Sequence, residues 1–329
     1  MIDSKRRTLS LGLAGIAAAA ASGLPAGARA QAWPARPVKI IVPYPAGGGP
    51  DATVRRIAEK LAGMLGQPVL TENRPGAAAM IGAKAVATAA PDGYTLGYLS
   101  SSHATLQAIT GRIDLEKEFA PIAMIGLSPF VAVVNASSPH ATLKSFIDAA
   151  LAQPGKLTYA SAGVGSPAHI AVERLRERVP GLDLLHVPFK GAVESANAII
   201  GGQIDFSISL LAACLPHFRS GRLKPLGLTT PERMALLPGV PTLVEAGVPG
   251  YRFDAWGGFV APAGTPPEIV ARLFAAIDKA TADPDYLAFV DSTGGQRRMS
   301  ASPQAFAREI RETLASEQQT VARLGLKES

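Results

Sequence analysis

The chain has 329 residues, 47% hydrophobic and 18% charged, with a net charge of +6 and one cysteine. That length supports one large or two medium domains with a sizeable core, and the lone Cys214 excludes an intramolecular disulfide. The basic excess is too small and too scattered for a nucleic-acid surface. The first thirty residues hold four basic side chains against Asp3, so the remainder carries only +3.

Residues 1–30 read as an export signal peptide. SKRRTLS supplies the basic start, LGLAGIAAAAASGLP the apolar stretch, and Ala28–Arg29–Ala30 a small-residue cleavage site before Gln31. The apolar run is too short and alanine-rich for a good membrane-spanning helix. The Arg6–Arg7 pair leaves twin-arginine export open beside the general route.

From Val38 onward strand-like runs alternate with helix-like ones. VKIIV is a continuous apolar run, as in a strand buried on both faces, and Val54, Ile57, Ala58, Leu61 and Leu65 then mark one face of a helix. PVLTE, YTLGYL, LTYAS, LLHVPF, IDFSIS and LKPLGLT read as further strands, with helices from Ala79, Ala168 and Ala192 between them. Such alternation implies parallel sheets joined by crossover helices. Residues 302–324 predict a closing surface helix. Two apolar segments flanked by Pro and Gly, 121–135 and 251–264, suggest that the chain crosses twice between two lobes. Residues 31–132 and 251–329 then form one lobe and 133–250 the other, hinged around a cleft.

The stretch YPAGGGPDATV follows the first strand and opens a helix, so it lies at the carboxyl end of the sheet, where open parallel sheets hold ligands. A helix start offers unpaired N–H groups and partial positive charge, and glycines let an anion approach them. Asp51 reads as the helix N-cap, with Arg55 in pairing reach. There is no G-K-[ST] or GxGxxG, so this is not a nucleotide loop. SAGVGSPAHI repeats the design, with Ser161, Gly163, Gly165 and Ser166 after a strand and His169 in the first turns of the next helix. SSSHATL reads as a third polar loop after a strand, bringing Ser100, Ser101 and His103. Two donor-rich loops, one per lobe, suit a small molecule with carboxylates at both ends.

Other residues carry plainer readings. Cys214 sits in an apolar helical run as a buried thiol, and Trp256 as packing at the return strand. Lys190 either steers anions or is a solvated surface charge. No nucleophile elbow GxSxG occurs, nothing brings His103, His169 and Cys214 together, and no His/Cys/acid spacing suits a metal. The chain is therefore read as a binding protein without cofactor, not an enzyme.

VPYPAGGGPD, GQPVLTENRPGAAAMIGAKAVATAAPDGYTL, SAGVGSPAHI, HVPFKG, GGQIDF, LLPGVPTLVEAGVPGY and WGGFVAPAGTP together resemble the Bug family, the periplasmic solute-binding proteins of tripartite tricarboxylate transporters. The resemblance runs through the whole chain after residue 30. It implies an α/β type II periplasmic-binding-protein fold, two lobes with mostly parallel sheets and a ligand cleft between them, located in the periplasm as a monomer by default. It implies a small carboxylate ligand, and as partners the inner-membrane permease subunits or, alternatively, a sensor kinase. By the same resemblance, the loop containing Tyr44, Ala46, Gly47, Gly48 and Asp51 holds one carboxylate. The loop from Ser161 to Ser166 holds the distal part of the ligand. Ser100, Ser101 and His103, then Lys190, Gly191 and Ala192, then the strand end near Ser209 complete the pocket. Many family members carry an acidic residue near that strand end. Ser209 followed by Leu210 and Leu211 departs from this and favours an apolar or aromatic carboxylate over an amino acid.

Overall fold

The computed structural model describes residues 33–189, 191–253 and 255–327. The proposed signal peptide and Lys190 lie outside them. Strand β1 (Val38–Val42) is buried along nearly its whole length and leads into helix α1 (Gly49–Leu65), which carries Pro50 in its first turn and is capped by Gly66 in the left-handed region. Val54, Ile57, Ala58, Leu61 and Leu65 are all buried, so the 3.6-residue spacing is spent on the core. Strands β2 (Val69–Asn73) and β3 (Thr95–Ser100) flank β1, both parallel to it. Helix α2 (Met80–Ala87) links them, and helix α3 (Ser102–Thr110) follows β3.

The first crossing is two strands, β4 (Phe119–Ser128) and β5 (Phe130–Asn135), separated at Pro129, which cannot donate to a ladder. Strand β4 stays with the first sheet. The chain then builds α4 (Leu143–Ala152), β6 (Thr158–Ser161), α5 (Pro167–Arg178), β7 (Leu185–Pro188), α6 (Ala192–Ile200), β8 (Ser207–Leu210), α7 (Leu211–Arg219) and β9 (Leu223–Leu228). It returns through β10 (Ala255–Pro262), which inserts between β3 and β4. Helices α8 (Pro267–Thr281) and α9 (Pro284–Ser292), strand β11 (Gln296–Arg297) and helix α10 (Pro303–Leu324) close the first lobe.

The first sheet has the order β11-β4-β10-β3-β1-β2; β8-β5-β9 and β6-β7 form the sheets of the second lobe. Parallel pairing holds for β1 with β2 and β3 and for β6 with β7. Every antiparallel pair involves β4, β5 or β10, the strands that carry the chain between lobes and must run back against their neighbours. The cores separate in the same way. One packs Ile41, Leu99, Met124, Trp256, Phe306 and Leu314; another packs Phe146, Tyr159, Leu175, Phe206 and Tyr251. A third, on the other face of the second lobe, holds Val131, Ile199, Leu211 and Cys214. Burial pushes the Cys214 thiol up to about 12, which fits a structural thiol rather than a nucleophile. Trp256 is buried on Phe306 and donates from Nε1 to Thr313 Oγ1 at 2.9 Å, a packing role.

Candidate functional site

The segment after β1 turns at Gly47, whose φ of +79° falls where a side chain would be strained. The Gly47 N–H donates to Asp51 Oδ2 at 2.8 Å. Contrary to its reading as the N-cap, Asp51 lies inside the first turn, and Gly48 is the cap residue. Asp51 is only 3% exposed and also accepts from Arg55 Nε at 2.9 Å and Asn73 Nδ2 at 2.8 Å. Burial alone would raise its pKa; the bonds from Arg55, Gly47 and Asn73 outweigh burial and hold the carboxyl down to about 2. Its charge is thus neutralised within the protein, and the exposed Ala46–Gly47 backbone is left facing solvent beside a helix start.

Tyr44 stands over this loop and ties it to the end of β3. Its Oη lies 2.6 Å from Ser100 Oγ and 3.2 Å from Ser102 Oγ, and the two serine hydroxyls are 2.7 Å apart. Burial pushes the Tyr44 phenol up, with the two serine contacts acting the other way. SSSHATL is not a loop: β3 ends at Ser100 and α3 begins at Ser102, so His103 is a helical residue. His103 is 1% exposed; its Nδ1 accepts the Ser100 N–H at 3.1 Å, and its Nε2 is buried without a partner among the described residues. Burial holds this imidazole down to about 4, so it is neutral at pH 7. Ser101 donates its N–H to the Trp256 carbonyl at 3.1 Å, joining α3 to the return strand.

The second glycine loop is held by two imidazoles. Ser161 is fully buried, with its Oγ 2.7 Å from His186 Nε2 and 3.0 Å from the Gly163 carbonyl; the Gly163 N–H donates back to that oxygen. The Gly165 N–H donates to His169 Nδ1 at 3.1 Å, and Ser166 caps α5. His169 stacks on His186 at 4.4 Å between centroids, and His186 stacks on Tyr159 at 4.7 Å. Tyr159 donates to Glu173 Oε1 at 2.7 Å, and Glu173 is paired with Arg176. Burial lowers the pKa of His169, and burial together with His169 holds His186 down to about 4. His186, Tyr159, Glu173, Ser102 and Asn73 were not singled out by sequence reasoning. The signal for His186 was a histidine within an otherwise apolar strand, LLHVPF.

Gly191 is the N-cap of α6. Lys190 and the side chain of Ala192 lie outside the described residues. Ser209 is 9% exposed and donates to Ser207 Oγ at 2.9 Å, which in turn donates to the Ala160 carbonyl, so its hydroxyl is used inside the lobe. The two loop regions meet: an ideal Cβ on Gly165 would lie 2.7 Å from Ile109 Cδ1 of α3, and Ser101 and Ser102 share a cavity of about 280 Å³ with Pro167 and Ile170 of α5. Among the described residues no group of His, Cys, Asp and Glu is arranged to hold a metal ion.

A two-lobed α/β fold with a polar helix start in each lobe defines a periplasmic-type solute-binding protein, and the relatives agree. Residues 53–326 match the tripartite tricarboxylate transporter family receptor, TctC, and the chain belongs to that family. It is 36% identical over 266 residues to protein BugT of Bordetella pertussis, covering 79% of this chain and 81% of that one. Rpa4515 of R. palustris, solved with adipate, is 30% identical with a TM-score of 0.78, covering 89% of this chain and 98% of that one. MatC from Rhodopseudomonas palustris, solved with bound malate, is 30% identical with a TM-score of 0.73, covering 88% and 100%. The solved homologues also include the periplasmic binding protein BugD and a TctC solute-binding protein from Polaromonas, which are solute-binding receptors and not enzymes.

Proposed function

We propose that the mature protein is a periplasmic receptor that captures a small carboxylate between its two glycine loops and delivers it to tripartite tricarboxylate-type permease subunits. Residues 1–30 are then the export signal, and 133–250 move as a lobe against the rest. The observation that carries the reading is the Tyr44–Ser100–Ser102 hydroxyl cluster beside the Ala46–Gly48 turn at the start of α1, where the nearby acid, Asp51, is already neutralised. One carboxylate would sit on the N–H groups of that turn. The Gly163–Ser166 turn would take the distal part of the ligand, and Gly191 and Ala192 would complete the far wall. Donors held in place before binding lose little ordering entropy, and lobe closure would remove water around the anion. Adipate and malate in related structures support a carboxylate ligand.

The test is thermal unfolding with carboxylates and their uncharged amides. A ligand at about a hundred times its Kd stabilises the fold by about 2.7 kcal/mol. Stabilisation by carboxylates and not by the amides is the expected result. Stabilisation by neither, or equally by both, would overturn the reading.

A further inference from the structure

We propose that His169 is a positioning residue rather than a ligand contact: its neutral imidazole holds Gly165 in the turn that takes the distal part of the ligand, and protonation of that ring releases the turn. This deepens the carboxylate-receptor reading above and rests on it for the ligand. The two glycine loops are anchored alike. Gly47 has a φ of +79° and donates its N–H to Asp51 Oδ2, four residues on, at 2.8 Å. Gly165 has a φ of +75° and donates its N–H to His169 Nδ1, also four residues on, at 3.1 Å. Both acceptors are buried, and each is the third residue of the helix that follows its loop. The anchors differ in one respect: the first is a carboxylate and the second an imidazole.

A ring nitrogen that accepts an N–H carries no proton, so neutral His169 holds its proton on Nε2. Charging the ring puts a second proton on Nδ1, and two donors then face each other at Gly165. His186 is the support and not the switch. Ser161 Oγ takes the Gly163 N–H and gives its one proton to the Gly163 carbonyl, so His186 Nε2 donates to it in either charge state. His169 faces His186 of β7 at 4.4 Å and Tyr159 of β6 at 6.3 Å between centroids, with Glu173 and Arg176 on its own helix. Glu173 is committed to Tyr159 Oη and Arg176, and it also interacts with Arg323 of α10. Burial, the leading cause, lowers the pKa of His169 from 6.5, whereas Asp51 keeps its charge down to about 2. Acid therefore loosens the second loop in a range where the first still stands.

The experiment has two arms. The first needs no ligand: nitrogen-15 NMR of the protein from pH 8 to pH 4, following the His169 ring and the Gly165 and Gly47 amides. The expected result is an Nε2–H tautomer for neutral His169, with the Gly165 amide titrating in step with the ring while the Gly47 amide stays still. An Nδ1–H tautomer, or a Gly165 amide that ignores the ring, overturns the inference. The second arm is calorimetric titration with malate and adipate at pH 8 and pH 5. His169→Phe removes the acceptor and is expected to weaken binding at both. His169→Asn restores an acceptor at Oδ1 that binds no proton, and is expected to recover affinity relative to H169F. Its affinity relative to the unsubstituted protein should then rise on acidification, by up to about tenfold per pH unit below the pKa of His169. Protonation of the acids themselves is common to all three proteins and cancels in that ratio. H169N as weak as H169F at pH 8 would make the imidazole a ligand contact, and a ratio constant with pH would remove the switch. If neither acid binds, the NMR arm decides this inference, and the amide comparison above decides the receptor reading separately. If H169F does not fold, H169N and the NMR arm still decide.

Discussion

The Asp51 carboxylate accepts the Gly47 N–H at 2.8 Å and the Arg55 Nε–H at 2.9 Å, so one buried acid fixes both the turn and the helix that follows it. Its role is to shape an anion site without contributing charge to it. Asp51→Ala leaves the Gly47 N–H and the Asn73 amide short of an acceptor and should cost about 1–3 kcal/mol of stability, together with carboxylate affinity. Asp51→Asn should recover part of the stability, because one oxygen remains. Denaturant unfolding and ligand titration of both variants check this. Affinity unchanged in D51A would mean that the turn does not hold the ligand.

Acid should weaken the fold in two separate windows. His103 and His186 are held down to about 4 in the fold, and His169 is lowered as well, against an ordinary value of 6.5. Burial is the leading cause at each. Around the stack, His169 also lowers His186, Glu173 raises both, and Arg176 lowers His169. Between pH 6.5 and about 4 the unfolded chain therefore binds more protons than the folded one, and stability falls as pH drops through that range. Asp51 is displaced in the same direction, but in a lower window. Its contribution is present above pH 3.8 and is lost as pH falls toward about 2. The Tm should thus be flat from pH 7 to 8 and decline below 6.5. His186→Phe keeps a ring in the stack, leaves Ser161 its Gly163 contact, and should flatten part of that decline. An unchanged pH profile in this variant would remove His186 from the account.

Gly165 is constrained twice, by a φ of +75° and by Ile109 Cδ1 at 2.7 Å from an added Cβ. Gly165→Ala should cost about 1 kcal/mol from the backbone alone, and more if Ile109 cannot turn aside. Adding Ile109→Val to Gly165→Ala removes that methyl and should relieve the steric part only. Full recovery in the double variant would show that the left-handed backbone is not strained there.

The two glycine loops were legible because their chemistry is local: strand, glycines, then a helix opened by proline. The α/β alternation was legible for the same reason. The SSSHATL segment misleads because serines at a helix start look like a loop in a short window; Ala104–Ile109, which continue the helix, decide it. His186 was hidden because its role depends on β6–β7 pairing, which sets it opposite Tyr159. The need for glycine at position 257 is also non-local: an added Cβ there would lie 1.9 Å from Tyr98 Oη, a contact set by the β3–β10 register that pairs Gly257 with Ser100. Asp51 was assigned the wrong position in its helix because the helix begins at Gly49, one turn earlier than a capping acid suggests.

The lobes are also joined by a buried charge. Arg174 of α5 places Nη2 2.5 Å from Glu317 Oε1 of α10, and Glu317 Oε2 accepts from Thr105 Oγ1 of α3 at 3.0 Å. Arg174 also donates to Ser316 Oγ and to the Arg252 carbonyl. The Glu317 side chain is 5% exposed; burial raises its pKa, and Arg174 and Thr105 only partly offset this. Removing either partner of such a pair strands the other, at about 3–5 kcal/mol when the charge is retained. The two removals should nevertheless differ. A guanidinium has no neutral form to retreat to, so Glu317→Gln leaves a cation without its partner at every pH. Arg174→Met leaves a carboxyl that can escape by binding a proton. In that variant the folded state binds more protons than the unfolded one above pH 4.5, so its stability should fall as pH rises from 5 to 8. The difference in Tm between R174M and E317Q should therefore be largest at pH 5 and shrink by pH 8. A constant difference across that range would show that Glu317 is not the group left charged, and that the bridge acts through packing of the arginine on Phe253 rather than through the ion pair.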